Sequence, residues 1–278
     1  MISQAAKLNR DYAIGLARAS GGAIIFGLPL LMTMEMWAIG LHIAPARLIL
    51  FMVFNLVVLV ILSRFGGFER TATLIEDVLD ALAAQAVGIL TAIAILSLFG
   101  VIRPGGSMAE LVGQVAIQSV PGSFGAMLAR KQLGAGDVDD DESLAQRSAG
   151  YAGQLFLMLA GALFFAFNVA PTEEMLLIGY KMSAWHALVL AGLSLGLLHA
   201  LVFAVGLAGQ EAAPKGYGSA RLFLAFTVPG YAIALLVSLY VLWTFGSVDG
   251  LGVPTLARIV VVLGFPAAVG AAIARLVI

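Results

Sequence analysis

Thr33-Met34-Glu35-Met36-Trp37-Ala38-Ile39-Gly40 returns 139 residues later as Thr172-Glu173-Glu174-Met175-Leu176-Leu177-Ile178-Gly179, with five of eight positions identical. The echo continues in the same order along the chain. Leu96-Ser-Leu-Phe99-Gly100 matches Leu242-Trp-Thr-Phe245-Gly246. Pro121-Gly-Ser-Phe-Gly125-Ala126-Met-Leu-Ala129-Arg130 matches Pro266-Ala-Ala-Val-Gly270-Ala271-Ala-Ile-Ala274-Arg275. Low complexity explains shared Leu and Ala. It explains poorly a shared Glu, Pro and Arg, which are scarce in apolar segments. The pattern reads as a tandem duplication, and it makes Glu35 and Glu174 an equivalent pair.

Composition decides the solvent. The chain is 61% hydrophobic and 11% charged, with a mean hydropathy of +1.02. A soluble domain carries roughly 25% charged residues, so a bilayer must take up this apolar surface. The net charge of −1 says little about partners, and without a basic patch interleaved with aromatics nothing points to nucleic acid. With no cysteine there are no disulfides, thiolate metal sites or cysteine nucleophiles.

Eight apolar segments stand out, at 13–34, 48–63, 81–99, 108–128, 149–170, 183–207, 222–245 and 256–277. Each approaches the roughly 20 residues that a helix needs to cross a bilayer. Backbone groups in lipid must be satisfied internally and no period-two pattern appears, so the segments are helices. The fold expected is an all-α polytopic membrane protein of eight transmembrane helices. It is built as two parallel four-helix repeats, residues 1–133 and 149–278, joined by an acidic linker at 134–148. An even number of spans per repeat implies a pseudo-two-fold axis along the membrane normal. With the N-terminus inside, Lys7, Arg10, Arg18, Arg64, Arg70, Arg130, Lys131, Arg147, Lys215, Arg221 and Arg275 are cytoplasmic. Arg47, Arg103, Lys181 and Arg258 are outside. That is 11 against 4 of the 15 basic residues, which places both termini in the cytoplasm. Lys7 and Arg10 precede an apolar run without a small-residue cleavage site, so the first span reads as uncleaved.

Ionisable residues in such segments mark candidate sites by default. Glu35 and Glu174 lie toward the outer face. Two nearby carboxylates in a low dielectric must share a proton or a cation; the competing reading is interfacial capping, in which Thr172 caps a short outer helix whose positive end Glu173 and Glu174 stabilise, and Thr33 and Glu35 do the same. Glu110, Gln114 and Gln118 fall at i, i+4 and i+8 on one helical face, continued by Gly122. Their counterparts are Thr255, Ile259 and Leu263, so this polarity belongs to the first repeat. The competing reading is a Ser107–Glu110 capping box with glutamines as interhelical glue. Glu69, Thr73, Glu76, Asp77 and Asp80 gather near the inner end of the third segment with Gln85 one turn deeper. They form either an acidic vestibule or the solvated face of a projecting helix. Joined, these groups make an acidic and amide ladder through the membrane, a lining suited to a cation or proton.

Other features weigh less. Met32, Met34, Met36 and His42 suggest soft-metal ligands, but alternate helical residues point about 200° apart. Asn55 and His199 fall within spans and read as interhelical hydrogen bonders. Pro29, Pro121, Pro229 and Pro266 mark kinks, and Pro29 is placed to break the first helix. Asp137 to Glu142 has a calcium-loop flavour, but Glu142 and Ser148 stand where such a loop needs Gly and Glu. No nucleotide, hydrolase or zinc motif is present, and no cofactor is implied.

The stretch Arg18-Ala-Ser-Gly-Gly-Ala-Ile-Ile-Phe-Gly-Leu-Pro-Leu-Leu-Met-Thr-Met-Glu-Met-Trp37 resembles the signature of a family of bacterial integral membrane proteins of unassigned function. The resemblance implies a multi-pass protein of the bacterial inner membrane and carries no activity or ligand. From the residues, the expected function is a channel or secondary transporter for a small cation, with proton coupling an option that the carboxylate pair leaves open. Glu35 and Glu174 form its outer site, and Glu110, Gln114, Gln118, Gln85, Glu76 and Asp80 its path. Two alternatives stay open: a non-transporting scaffold that docks a cytoplasmic protein through the acidic loop, and an intramembrane lipid-acting enzyme. A homo-oligomer is open as well.

Overall fold

In the computed structural model, residues 4–66, 73–102, 105, 107, 108–133, 150–204 and 218–277 are described. All secondary structure among them is helical. The elements are α1 (Gln4–Leu31), α2 (Met34–His42), α3 (Pro45–Gly66), α4 (Leu74–Leu98), α5 (Met108–Leu133), α6 (Tyr151–Val169), α7 (Glu173–Lys181) and α8 (Ala184–His199). The last runs on as a π-helical turn, Ala200–Ala204. Then come α9 (Ser219–Leu222), a π-helical turn (Phe223–Thr227), α10 (Val228–Thr244) and α11 (Val253–Val277). Eight stretches are long and apolar enough to cross a membrane: Ala13–Leu31, Pro45–Arg64, Leu74–Leu98, Met108–Ala129, Tyr151–Val169, Ala184–Phe203, Ser219–Thr244 and Val253–Arg275. Ile49, Val53, Leu90, Trp185, Leu193 and Leu236 stand more than half exposed, as lipid-facing side chains do.

The chain divides into two compact units, Met1–Ala145 and Gln146–Ile278. The acidic linker expected at 134–148 lies outside the described residues.

In the first unit, α5 is the central helix. From Gly113 to Ala129 every residue but Ala116 is buried. Helix α1 reaches it through bare backbone: a methyl group on Gly22 would collide with the Gly125 carbonyl oxygen, and one on Gly125 with that of Gly22. In lipid, close backbone packing of this kind replaces the hydrophobic drive between helices. Pro29 stands two residues before the end of α1. The freed carbonyls at this end find side chains: Thr33 Oγ1 donates to the Pro29 oxygen at 2.6 Å and Trp37 Nε1 to the Leu31 oxygen at 2.8 Å. The chain then restarts as the short helix α2. Helix α4 starts earlier than hydropathy alone suggests, because Thr73 and Glu76 form a reciprocal capping box. It ends at Phe99, followed by Gly100 at φ 70°, with Val101 N–H donating back to the Leu96 oxygen at 2.9 Å.

In the second unit, α6 meets α11 through Gly161 and Gly270, whose added methyl groups would each strike the other's carbonyl oxygen. Helix α10 ends at Phe245 with Gly246 at φ 74°, and Ser247 N–H donates to the Leu242 oxygen at 3.0 Å. Pro229 removes the donor for the carbonyl four residues earlier. That carbonyl, Ala225, instead accepts from Tyr151 Oη at 2.8 Å. Pro121 and Pro266 lie inside continuous helices.

Candidate functional site

Most polar side chains of the first unit that are buried at mid-span meet on α5. Asn55 is in the middle of α3, Gln85 in the middle of α4, and Ser119 and Ser123 are one turn apart on α5. Asn55 Nδ2 donates to Gln85 Oε1 at 2.7 Å and to Ser123 Oγ at 3.2 Å. Gln85 Nε2 donates to Ser119 Oγ at 2.7 Å. The two hydroxyls pass on to carbonyl oxygens of α5, Ser119 to Ala116 and Ser123 to Val120, both at 2.7 Å. Gly88 lets α4 come close enough, since a methyl group there would meet the Ser119 carbonyl oxygen and, at 2.8 Å, the Ser123 nitrogen. The centre contains three helices, two amides and two hydroxyls, and no charge.

Two buried amides here keep unpartnered atoms. Asn55 Oδ1 has none, with Asn55 fully buried. Gln118 has none at either Oε1 or Nε2, and is 1% exposed. Gln118 precedes Ser119 and points about 100° round α5 from it, on the face that carries Gln114 and Gly122. Gln114 Nε2 donates to the Trp37 oxygen of α2 at 3.4 Å, and Gly40 of α2 packs on the Gln114 backbone.

The carboxylates occupy the helix ends. Glu35 lies in the first turn of α2 and Glu174 in the first turn of α7, half-buried and exposed respectively. Neither Thr33 nor Thr172 makes a side-chain cap there; their hydroxyls donate back to Pro29 and Val169. Glu110 is exposed in the first turn of α5. Glu76 accepts from its own cap, Thr73 N–H, at 3.1 Å. Asp77 is 3% exposed and bonded to Arg64 Nε at 2.8 Å. Asp80 accepts from Ser63 Oγ at 3.2 Å. Glu69 lies outside the described residues, as does the acidic loop 137–142. Met36 is fully buried, whereas Met32 and Met34 are 62% and 68% exposed, so the three thioethers do not converge. Among the described residues no group of three His, Cys, Asp or Glu side chains could hold a metal ion.

The Arg64–Asp77 pair supports a test of its own. Arg64→Ala leaves a buried carboxylate without its guanidinium. We expect a loss of about 3 kcal/mol, the lower end for a broken buried pair because Arg64 is itself 59% exposed. Adding Asp77→Asn to the same chain restores most of it. Thermal unfolding of the three proteins in detergent checks the order.

The second unit has its own polar contact. His199 Nδ1 and Thr227 Oγ1 lie 2.8 Å apart. The pair joins the start of one π-helical turn to the end of the other. Phe203 and Phe223 flank the imidazole at 5.4 and 5.5 Å. The Arg275 guanidinium lies 4.8 Å over Phe226 and donates to Gln154 Oε1 at 3.2 Å. As expected, Asn55 and His199 both bond between helices. Ser119, Ser123 and Thr227 were not singled out from the sequence. The signal for the first two is their i, i+4 spacing astride Pro121, on the helix that also carries Gln114 and Gln118.

A family described as "Putative integral membrane protein (DUF2391)" matches residues 15–278, and the chain belongs to that family. No curated protein and no solved structure matches the chain.

Proposed function

We propose that this member of the integral membrane family is a transport protein of the bacterial inner membrane that moves a small cation, with the mid-span centre of its first unit as the binding site. The observation that carries the reading is the pair of buried amides, Asn55 and Gln118, with unpartnered polar atoms at half depth of the bilayer. Interhelical glue has no use for such atoms, since an unmet polar group in hydrocarbon costs several kcal/mol. Binding sites of transporters lie at this depth, beside interrupted helices, and Pro121 interrupts the hydrogen-bond ladder of α5 within the same turns. In this reading Glu35, Glu110, Glu76 and Asp80 draw cations toward the two ends of the path.

We also read the eight spans as four plus four, with both termini cytoplasmic. The charge bias of 11 against 4 supports the orientation. Support for the duplication comes from each unit's own packing. Gly22 on Gly125 corresponds to Gly161 on Gly270, and Gly40 on Gln114 to Gly179 on Ile259. Gly100 and Gly246 end equivalent helices in the same left-handed conformation. The amides of this centre are not duplicated, although the second unit keeps buried polar side chains, Ser194 and Tyr231, at two of the matching places. Asn55 and Gln85 correspond to Ser194 and Tyr231, and Gln118, Ser119 and Ser123 to Leu263, Gly264 and Ala268. The site is therefore assigned to the first unit.

Flux in proteoliposomes under separate potassium, sodium, calcium and proton gradients tests this. We expect cation flux from the wild type, its loss in Gln85→Leu, and only a reduction in Glu35→Gln/Glu174→Gln. No flux of any ion above empty liposomes would sink the transport reading.

A further inference from the structure

We propose that the mid-span centre of the first unit is an acceptor-ended site for a monovalent cation, with Asn55 Oδ1 as its leading ligand. The proposal rests on the transport reading only for what becomes of the ion once bound.

The argument is one of hydrogen-bond direction. Asn and Gln amides are ordinarily ambiguous in which atom is oxygen. Here the connectivity decides. The carbonyl oxygens of Ala116 and Val120 can only accept, and each lies 2.7 Å from a serine hydroxyl. A hydroxyl has one hydrogen, so Ser119 and Ser123 each spend theirs on α5. Toward the amides both hydroxyls can then only accept. Gln85 must turn its NH2 to Ser119, at 2.7 Å, and Asn55 its NH2 to Ser123, at 3.2 Å. Gln85 Oε1 faces Asn55 and accepts its second hydrogen at 2.7 Å. Both hydrogens of Asn55 are thus used, and all donation runs toward α5.

What is left at the head of the chain is a bare acceptor. Asn55 Oδ1 has no partner and Asn55 is fully buried. An amide that donates through both hydrogens is polarised and accepts more strongly at oxygen. Such an end fits a cation and repels an anion. Pro121 on the same helix removes the amide hydrogen that would close on the Ile117 carbonyl.

The charge of the ligand follows from what is missing at this depth. Asp77 is held by Arg64, Asp80 accepts from Ser63, and Glu76 closes its own capping box, all toward the end where α4 begins. Glu35 opens α2, at the other end. Divalent calcium calls for carboxylates among its six to eight oxygens. Neutral amide and carbonyl oxygens suit a monovalent ion that sheds its water.

The test is binding of radioactive rubidium to the purified full chain in detergent, with unlabelled potassium, sodium, ammonium or calcium as competitors. The expected result is saturable rubidium binding that the monovalent ions displace and calcium does not, weakened at least about tenfold by Asn55→Leu. No saturable binding, equal displacement by calcium, or undiminished binding in folded Asn55→Leu would each overturn the site. Gln85→Glu covers the case in which Asn55→Leu does not fold. It puts a carboxylate into the centre and should let calcium compete, and an unchanged competition profile counts against the proposal. Binding without flux would overturn transport and leave the site. Flux that persists in Asn55→Leu would overturn the site and leave transport.

Discussion

Gly125→Leu is expected to destabilise the first unit by about 3 kcal/mol. The reason is geometric and does not depend on function. Any side chain at Gly125 must occupy the space of the Gly22 carbonyl oxygen and lie 2.7 Å from Phe26 Cβ. A carbonyl inside a helix cannot give way as a side-chain tip can. Helices α1 and α5 must separate, and between apolar helices in lipid nothing but close packing draws them together. Overpacking a well-filled core costs about 1–3 kcal/mol, and a clash of backbone on backbone belongs at the top of that range, near 3 kcal/mol. Gly270→Leu should cost a similar amount, since it drives a side chain into the Gly161 carbonyl and Phe165. Gly192→Leu is the control: a methyl group there meets nothing within 4 Å, and leucine is the better helix former. Size-exclusion profiles and melting in detergent check all three. A Gly125→Leu protein that elutes and melts like the wild type would mean that α1 does not pack on α5 through bare backbone.

The spans were legible because the bilayer imposes a length and a composition, and both are local properties. Hydropathy located all eight helices, and missed mainly where a cap or a charge extends them. Helix α4 begins at Leu74 rather than near Ala81, since Thr73 and Glu76 stabilise its first turn outside the apolar run. Helix α3 begins at Pro45, with Arg47 in its first turn. The short helices after Thr33 and Thr172 are present, but without the expected threonine caps, since both hydroxyls donate back to the preceding helix. The site was harder to read. Carboxylates attract notice in apolar sequence because they are costly there. For the same reason they gather at helix ends, as Glu76, Asp77 and Asp80 do. The centre of the first unit is built from neutral groups instead. Gln85 and Gln118 stood out. Asn55 was ranked low and Ser119 and Ser123 went unremarked, since serine is common in membrane helices. Nothing local reveals that α3 and α4 both turn a polar residue toward the same turn of α5. That is a property of packing, visible only once Gly88 is seen to bring α4 against Ser119 and Ser123.

Gln118→Leu should do two things at once that ordinarily oppose each other, namely raise the melting temperature and stop cation flux. The amide is 1% exposed and neither its oxygen nor its nitrogen has a partner. A buried unsatisfied polar group costs about 1–3 kcal/mol, and replacing it by an apolar side chain of similar size recovers that amount. The second unit argues that leucine fits: the corresponding residue is Leu263, fully buried on α11. The stability gain is therefore expected within about 1–3 kcal/mol. If Gln118 were interhelical glue, its loss would lower the melting temperature and leave any flux untouched. If it is kept for a ligand, the protein trades stability for function, as sites commonly do. Melting in detergent and flux in proteoliposomes, run on the same preparation, separate the two. A lowered melting temperature, or flux that survives the substitution, would remove Gln118 from the path and leave the site to the centre formed by Asn55 and Gln85.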